Sequence, residues 1–153
     1  MSFRLRRILL ATLVFATLLG VWFVMRPQSV FSCEVRFACK YIDGRDLSGM
    51  SLAQHDRFFQ KEQRMLLGPD TVHAAQIRSG LSESRIREGI LSLLLNESGV
   101  SRGMALTVRG RDPEVTSTFS SALVEEYLER RKASKPAINV QVVQVTPVVG
   151  EDS

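Results

Sequence analysis

The chain has 153 residues and a formal net charge of +4, a length that suits one domain of ordinary size. Three of its 20 basic residues, Arg4, Arg6 and Arg7, precede a long apolar run, which leaves 17 against all 16 acidic residues. The body of the chain is therefore near neutral, and nothing in it suggests the basic face that a nucleic-acid-binding domain needs.

Ile8 to Met25 carries no charged side chain. About 20 apolar residues cross a bilayer core, and about 17 suffice. Only a helix satisfies its own backbone hydrogen bonds in lipid. The arginines ahead of the run favour a cytoplasmic N-terminus, and Trp22 and Phe23 stand where an interfacial anchor would lie. The expected layout is a cytoplasmic stretch over 1–7, a transmembrane helix over 8–25, an extracytoplasmic domain over 26–149 and an acidic tail over 150–153. Two competing readings are a cleaved signal peptide and lipidation at Cys33. The run exceeds the usual apolar core of a signal peptide, and no small-x-small cleavage site follows it directly. Val30-Phe31-Ser32-Cys33 only faintly resembles a lipobox, with Arg26-Pro27-Gln28 separating it from the apolar run.

Residues 31–41 alternate strictly, with Phe31, Cys33, Val35, Phe37, Cys39 and Tyr41 on one face, as a half-buried strand does. At about 3.3 Å per residue, Cys33 and Cys39 stand roughly 20 Å apart. That exceeds the reach of a disulfide, about 7 Å between Cα atoms. Two core thiols are expected; a bridge within one chain would need a hairpin, and a bridge between chains is the other option.

After a loop at Asp43–Gly49, a helix is predicted from about Leu52 to Leu67. Leu52, Phe58, Phe59, Met65 and Leu66 share one arc, and His55 and Glu62 fall inside it. Gly68-Pro69 breaks this helix, Asp70 is the expected cap of a successor from Thr71 to Ser79, and Gly80 suits its C-terminus. Ser82 is the next N-cap, with Leu81 and Ile86 as a hydrophobic staple. The stripe Ile86, Ile90, Leu93, Leu94 predicts a third helix, weakened by Gly89. Asn96–Gly103 reads as a loop, and Met104–Arg109 as a second strand.

Asp112-Pro113-Glu114 starts a helix that should reach about Lys132, ending in Arg130, Arg131 and Lys132. Ala133–Ala137 links it to a Val-rich strand over Ile138–Val145, apolar on both faces and so expected at the centre of a sheet. Strand, helix, strand predicts a right-handed βαβ unit with parallel strands. The expected fold is a small α/β domain with a mixed sheet, three helices lying between the first two strands.

Chemistry is sparse. Neither H-x-x-x-H nor C-x-x-C occurs, so His55, Asp56 and His73 lack the ligand spacing of a metal site. The expectation is that His55 and Glu62 hydrogen-bond at the rim of a packing surface. There is no G-x-S-x-G elbow and no phosphate-binding glycine loop. No catalytic, metal or cofactor site is expected, and the chain does not read as an enzyme. In the last helix Val115, Phe119, Ala122, Leu123 and Tyr127 form the core stripe. Val124 and Leu128 lie on a second face, where they either rest on a neighbouring helix or form a subunit contact.

The run Leu106 to Leu128, L-T-V-R-G-R-D-P-E-V-T-S-T-F-S-S-A-L-V-E-E-Y-L, resembles the periplasmic domain of bacterial polysaccharide chain-length determinants, the Wzz-type co-polymerases. Gly80-Leu81-Ser82 and Ile138–Pro147 fit the same pattern, so the resemblance covers roughly Val72 to Pro147. It implies a non-enzymatic inner-membrane protein whose domain lies in the periplasm. It also implies a homo-oligomer that touches membrane lipid and works with a polysaccharide polymerase. Two family features have no counterpart between Met1 and Ser153: the long helical arm before the final strand, and a second membrane helix. The other function the residues allow is an adaptor or ring subunit of another envelope complex, such as a secretion system.

Overall fold

The structure, a computed structural model, describes residues 17, 29–98, 103–134 and 136–151. The expected membrane helix lies outside them, Thr17 apart, as does the cytoplasmic stretch before it. Among the described residues, no helix is long and apolar enough to cross a membrane.

Strand β1 is Val30–Tyr41, and its alternation is realised: Cys33, Val35, Phe37 and Cys39 are buried on one face. A 3-10 turn, Leu47–Gly49, leads into helix α1, Leu52–Leu67. Ser51 and Gln54 close a capping box on its first turn, satisfying two otherwise orphaned backbone donors. Helix α2, Pro69–Ser79, follows at once. Its N-cap is Gly68 rather than Asp70, because Pro69 occupies the first helical position and moves Asp70 into the first turn. Gly80 ends it at φ 67°, the left-handed conformation that glycine adopts without a Cβ penalty.

The third helix departs from expectation. Helix α3 is only Glu83–Gly89; its Ser82 cap stands as expected, accepting from the Arg85 N–H. From Ile90 the chain is strand β2, Ile90–Ser98, where the stripe predicted helix to Leu94 and the composition a loop from Asn96. I-L-S-L-L-L fits both periods, and pairing decides between them. β2 runs antiparallel to strand β3, Gly103–Gly110, so that Leu93 faces Val108 and Leu95 faces Leu106. Leu95 and Leu106 are both buried.

Helix α4 is Pro113–Ala133. The Asp112 carboxylate accepts from the N–H groups of Glu114 and Val115, and all five residues of the expected core stripe are buried. Strand β4 is Ile138–Glu151.

The sheet order is β2-β3-β1-β4, and every pairing is antiparallel. The expected mixed sheet is thus replaced by an antiparallel one. β3 and β4 do run parallel across helix α4, but β1 lies between them. β1 and β2 are related in the same way with β3 between, so two split βαβ units interlock in the ferredoxin-like arrangement. β4 is an edge strand, not a central one. Ile138 and Val140 are buried, while Val143, Val145 and Val149 are exposed. Its valine content reflects a partly uncovered edge rather than burial on both faces. α4 packs on α2, β1, β3 and β4, so the core lies between this helix layer and one face of the sheet.

Candidate functional site

Burial and charge meet at one place, where α1, α4 and the start of β4 converge. Glu62 is 1% exposed and Arg131 4%. One Glu62 oxygen accepts the Tyr127 hydroxyl at 2.6 Å, and the other accepts from the Arg131 guanidinium. Arg131 also donates to the Ile138 carbonyl at 2.6 Å and lies 5.7 Å from the centre of the Phe58 ring. Its Nε is buried with no hydrogen-bond partner among the described residues. Tyr127 meets Phe37 edge to face, with 5.7 Å between centroids. The sequence placed Glu62 beside His55 and Arg131 in a dipole-compensating last turn. The contact between α1 and α4 gives Glu62 Tyr127 and Arg131 as partners instead of His55, while Arg131 does stand in the last turn of α4 as expected.

This cluster is poorly suited to nucleophilic or acid–base work. Burial pushes the Cys39 thiol up to about 12, with Arg131 opposing the shift and Glu62 adding to it. Burial and the Glu62 charge hold Tyr127 well above the usual phenol range. A thiolate is the reactive form of cysteine, so Cys39 is inert at neutral pH. The three side chains tie α1 to α4 and, through Ile138, to the start of β4.

Beside the cluster opens a cleft of about 360 Å³, walled by Leu128, Ile138, Val140 and Pro136, with Arg131, Lys132 and Asn139 as its polar lining and Ile42 at its lip. A second cleft, of about 230 Å³, lies toward the start of α4, between Ser117, Ser121 and Val124 on the helix and Val145 to Val148 on β4. The two stand along the same helix–strand pair. Val124 is 8% exposed and belongs to the core, and Leu128 is half-buried against it. As a subunit contact Val124 has little surface to give, whereas Leu128 lines an open cleft.

The open edge of β4 is the larger apolar feature. No charged side chain occurs from Ile138 to Gly150. Val143, Val145 and Val149 are 62%, 59% and 53% exposed. β4 pairs only with β1 among the described residues, and the register shift between Arg36 and Phe37 leaves Val143 without a β1 partner. Sequence reasoning read the valines but not the edge, because strand order is set by the other strands.

The histidines separate. His73 is exposed on α2. His55 is buried on α1, with Nδ1 3.5 Å from the Glu97 carboxylate on β2.

No family model and no curated protein matches this sequence. Among solved structures the chain is similar to AtUAH in complex with glyoxylate and to AtUAH in complex with (S)-hydroxyglycine. Each match has 14% identity and a TM-score of 0.33, covering 81% of this chain and 29% of that one. The chain therefore spans less than a third of the AtUAH chain, and a likeness this slight carries no functional argument.

Proposed function

We propose that this protein is a single-anchor, non-enzymatic assembly protein of the bacterial inner membrane. Its α/β domain lies on the periplasmic side, and it acts in envelope polysaccharide synthesis or export. The apolar run Ile8–Met25 behind Arg4, Arg6 and Arg7 supports the anchor and its sidedness. The resemblance of Leu106–Leu128 to the co-polymerases supports the process.

The observation that carries the reading is the uncharged, valine-rich edge of β4. Unpaired backbone donors and acceptors on an edge strand template pairing with another chain, and monomeric proteins commonly blunt such edges with charge. A second copy of β4 fits best, since an antiparallel strand pair about a two-fold axis is self-complementary. Pro147 lacks an N–H, which confines the ladder to Ile138–Thr146.

Deleting the gene in its host should shift the length or amount of surface polysaccharide on a gel. A phosphatase fused after Ser153 should be active outside the cytoplasm. An unaltered polysaccharide profile would remove the process, and activity only from a cytoplasmic reporter would remove the sidedness. The link between α4 and β4 favours a second reading: four residues alone, 134–137, join Ala133 to Ile138, where the co-polymerases carry their long helical arm. An adaptor or ring subunit of another envelope complex would need only the edge, and its deletion would leave the polysaccharide unchanged while impairing that complex.

A further inference from the structure

We propose that His55, Asp56 and Glu97 form a binding site for a divalent transition-metal cation of the zinc class. The three residues come from two elements that the linear spacing does not relate. His55 and Asp56 open the second turn of α1, where the Ser51 capping box and the His55 N–H to Ser51 carbonyl bond of 2.9 Å fix the backbone. Glu97 is on β2, held opposite Met104 by the β3 ladder. The sequence offered one imidazole with one adjacent carboxylate; folding supplies the third donor.

One ligand atom from each residue lies within 4.8 Å of the other two. Tetrahedral zinc takes imidazole nitrogen and carboxylate oxygen at about 2.0–2.2 Å, which places neighbouring ligand atoms roughly 3.3–3.5 Å apart. His55 Nδ1 and Glu97 Oε1 stand at 3.5 Å, beyond the usual range of a direct N–H···O bond, about 2.7–3.2 Å. The imidazole is 5% exposed while the Glu97 side chain is 50% exposed, so a buried nitrogen faces a solvent-accessible carboxylate. Asp56 is exposed as well, so the shift needed to close the set falls on solvent-accessible side chains. One imidazole and two carboxylates satisfy zinc's mixed preference and leave a fourth position for water. A bound cation would clamp α1 to the edge strand β2, on the opposite side of the sheet from β4, so this site stands independently of the proposed assembly edge.

The test is calorimetric titration of the untagged full chain in detergent with zinc chloride after chelator treatment. The wild type should bind one equivalent saturably. His55→Ala and Glu97→Gln should each weaken binding at least tenfold, in line with the 10–100-fold loss seen even for residues one step removed from a metal. His73→Ala should leave binding unchanged. Zinc should raise the melting temperature of the wild type and not of Glu97→Gln, a surface change that spares the core even where His55→Ala impairs folding. Absence of saturable binding in the wild type would overturn the site and leave only a contact between His55 and Glu97. Equal affinity in the wild type and Glu97→Gln would overturn it too, because the metal would then sit elsewhere.

Discussion

Glu62 is a carboxylate in the middle of an apolar core, and its presence there depends on Arg131 and Tyr127 acting together. Two charges out of water hold only when each is paired and hydrogen-bonded, and removing one partner typically costs about 3–5 kcal/mol. Arg131→Met alone should therefore lower unfolding free energy by about that much in a urea titration. Arg131→Met combined with Glu62→Leu should recover most of it, because no charge is then stranded. If the double variant is as unstable as the single, the cluster is not a coupled pair. Cys39 gives a second test at this scale. Its folded-state value of about 12 lies above the ordinary 9.0, so the native state keeps a proton that the unfolded chain gives up. Stability from this group is whole below pH 9 and is lost as pH rises toward 12, at up to about 1.4 kcal/mol per pH unit. Cys39→Ala should flatten the alkaline limb of a stability–pH curve; an unchanged slope would show that the thiol is not the titrating group. The residues of this cluster were visible in the sequence, but their partners were not. Helical phase put Glu62 on the buried arc, and only the packing of α4 could supply Arg131.

At the scale of elements, local signals with a stereochemical basis were legible and non-local ones were not. The caps at Ser82 and Asp112, the break at Gly68-Pro69 and the left-handed Gly80 all stand where the sequence put them, Gly68 rather than Asp70 capping the second helix. The strand β2 was not legible, since Ile90, Leu93 and Leu94 satisfy a helical stripe as well as a ladder. The Arg111 N–H donates to the Gly89 carbonyl at 2.7 Å, joining the end of α3 to the end of β3 just where β2 begins. Gly110 sits at this junction. A Cβ there would meet Thr116 Oγ1 and would lie 2.5 Å from the Gly89 carbonyl oxygen, a backbone atom that cannot swing aside. Gly110→Ala should therefore destabilise the domain by about 1–3 kcal/mol, the usual range for overpacking. A thermal melt equal to wild type would mean that the α3–β2 junction yields more readily than its geometry implies.

For the whole molecule, the sequence identified an α/β domain with a crossover helix, yet placed the last strand in the interior. Val142 and Val143 read as burial on two faces. What they record is a strand with one face under α4 and an edge open to solvent. That reversal moves the candidate contact. Val124, expected to meet another subunit, is 8% exposed, so Val124→Glu should lower the melting temperature by removing about 1.5–3 kcal/mol of burial. Val143 and Val145 are the exposed positions, and lysine on an edge strand is a common natural guard against pairing. The most direct measurement is the mass of the full chain in detergent by light scattering, for the wild type and for Val143→Lys with Val145→Lys, alongside thermal unfolding of both. The account predicts a wild-type mass at a multiple of 17.1 kDa after detergent is subtracted, falling to a single chain in the double variant with an unchanged melting temperature. A wild type that is already a single chain, or a double variant that keeps its full mass, would contradict it.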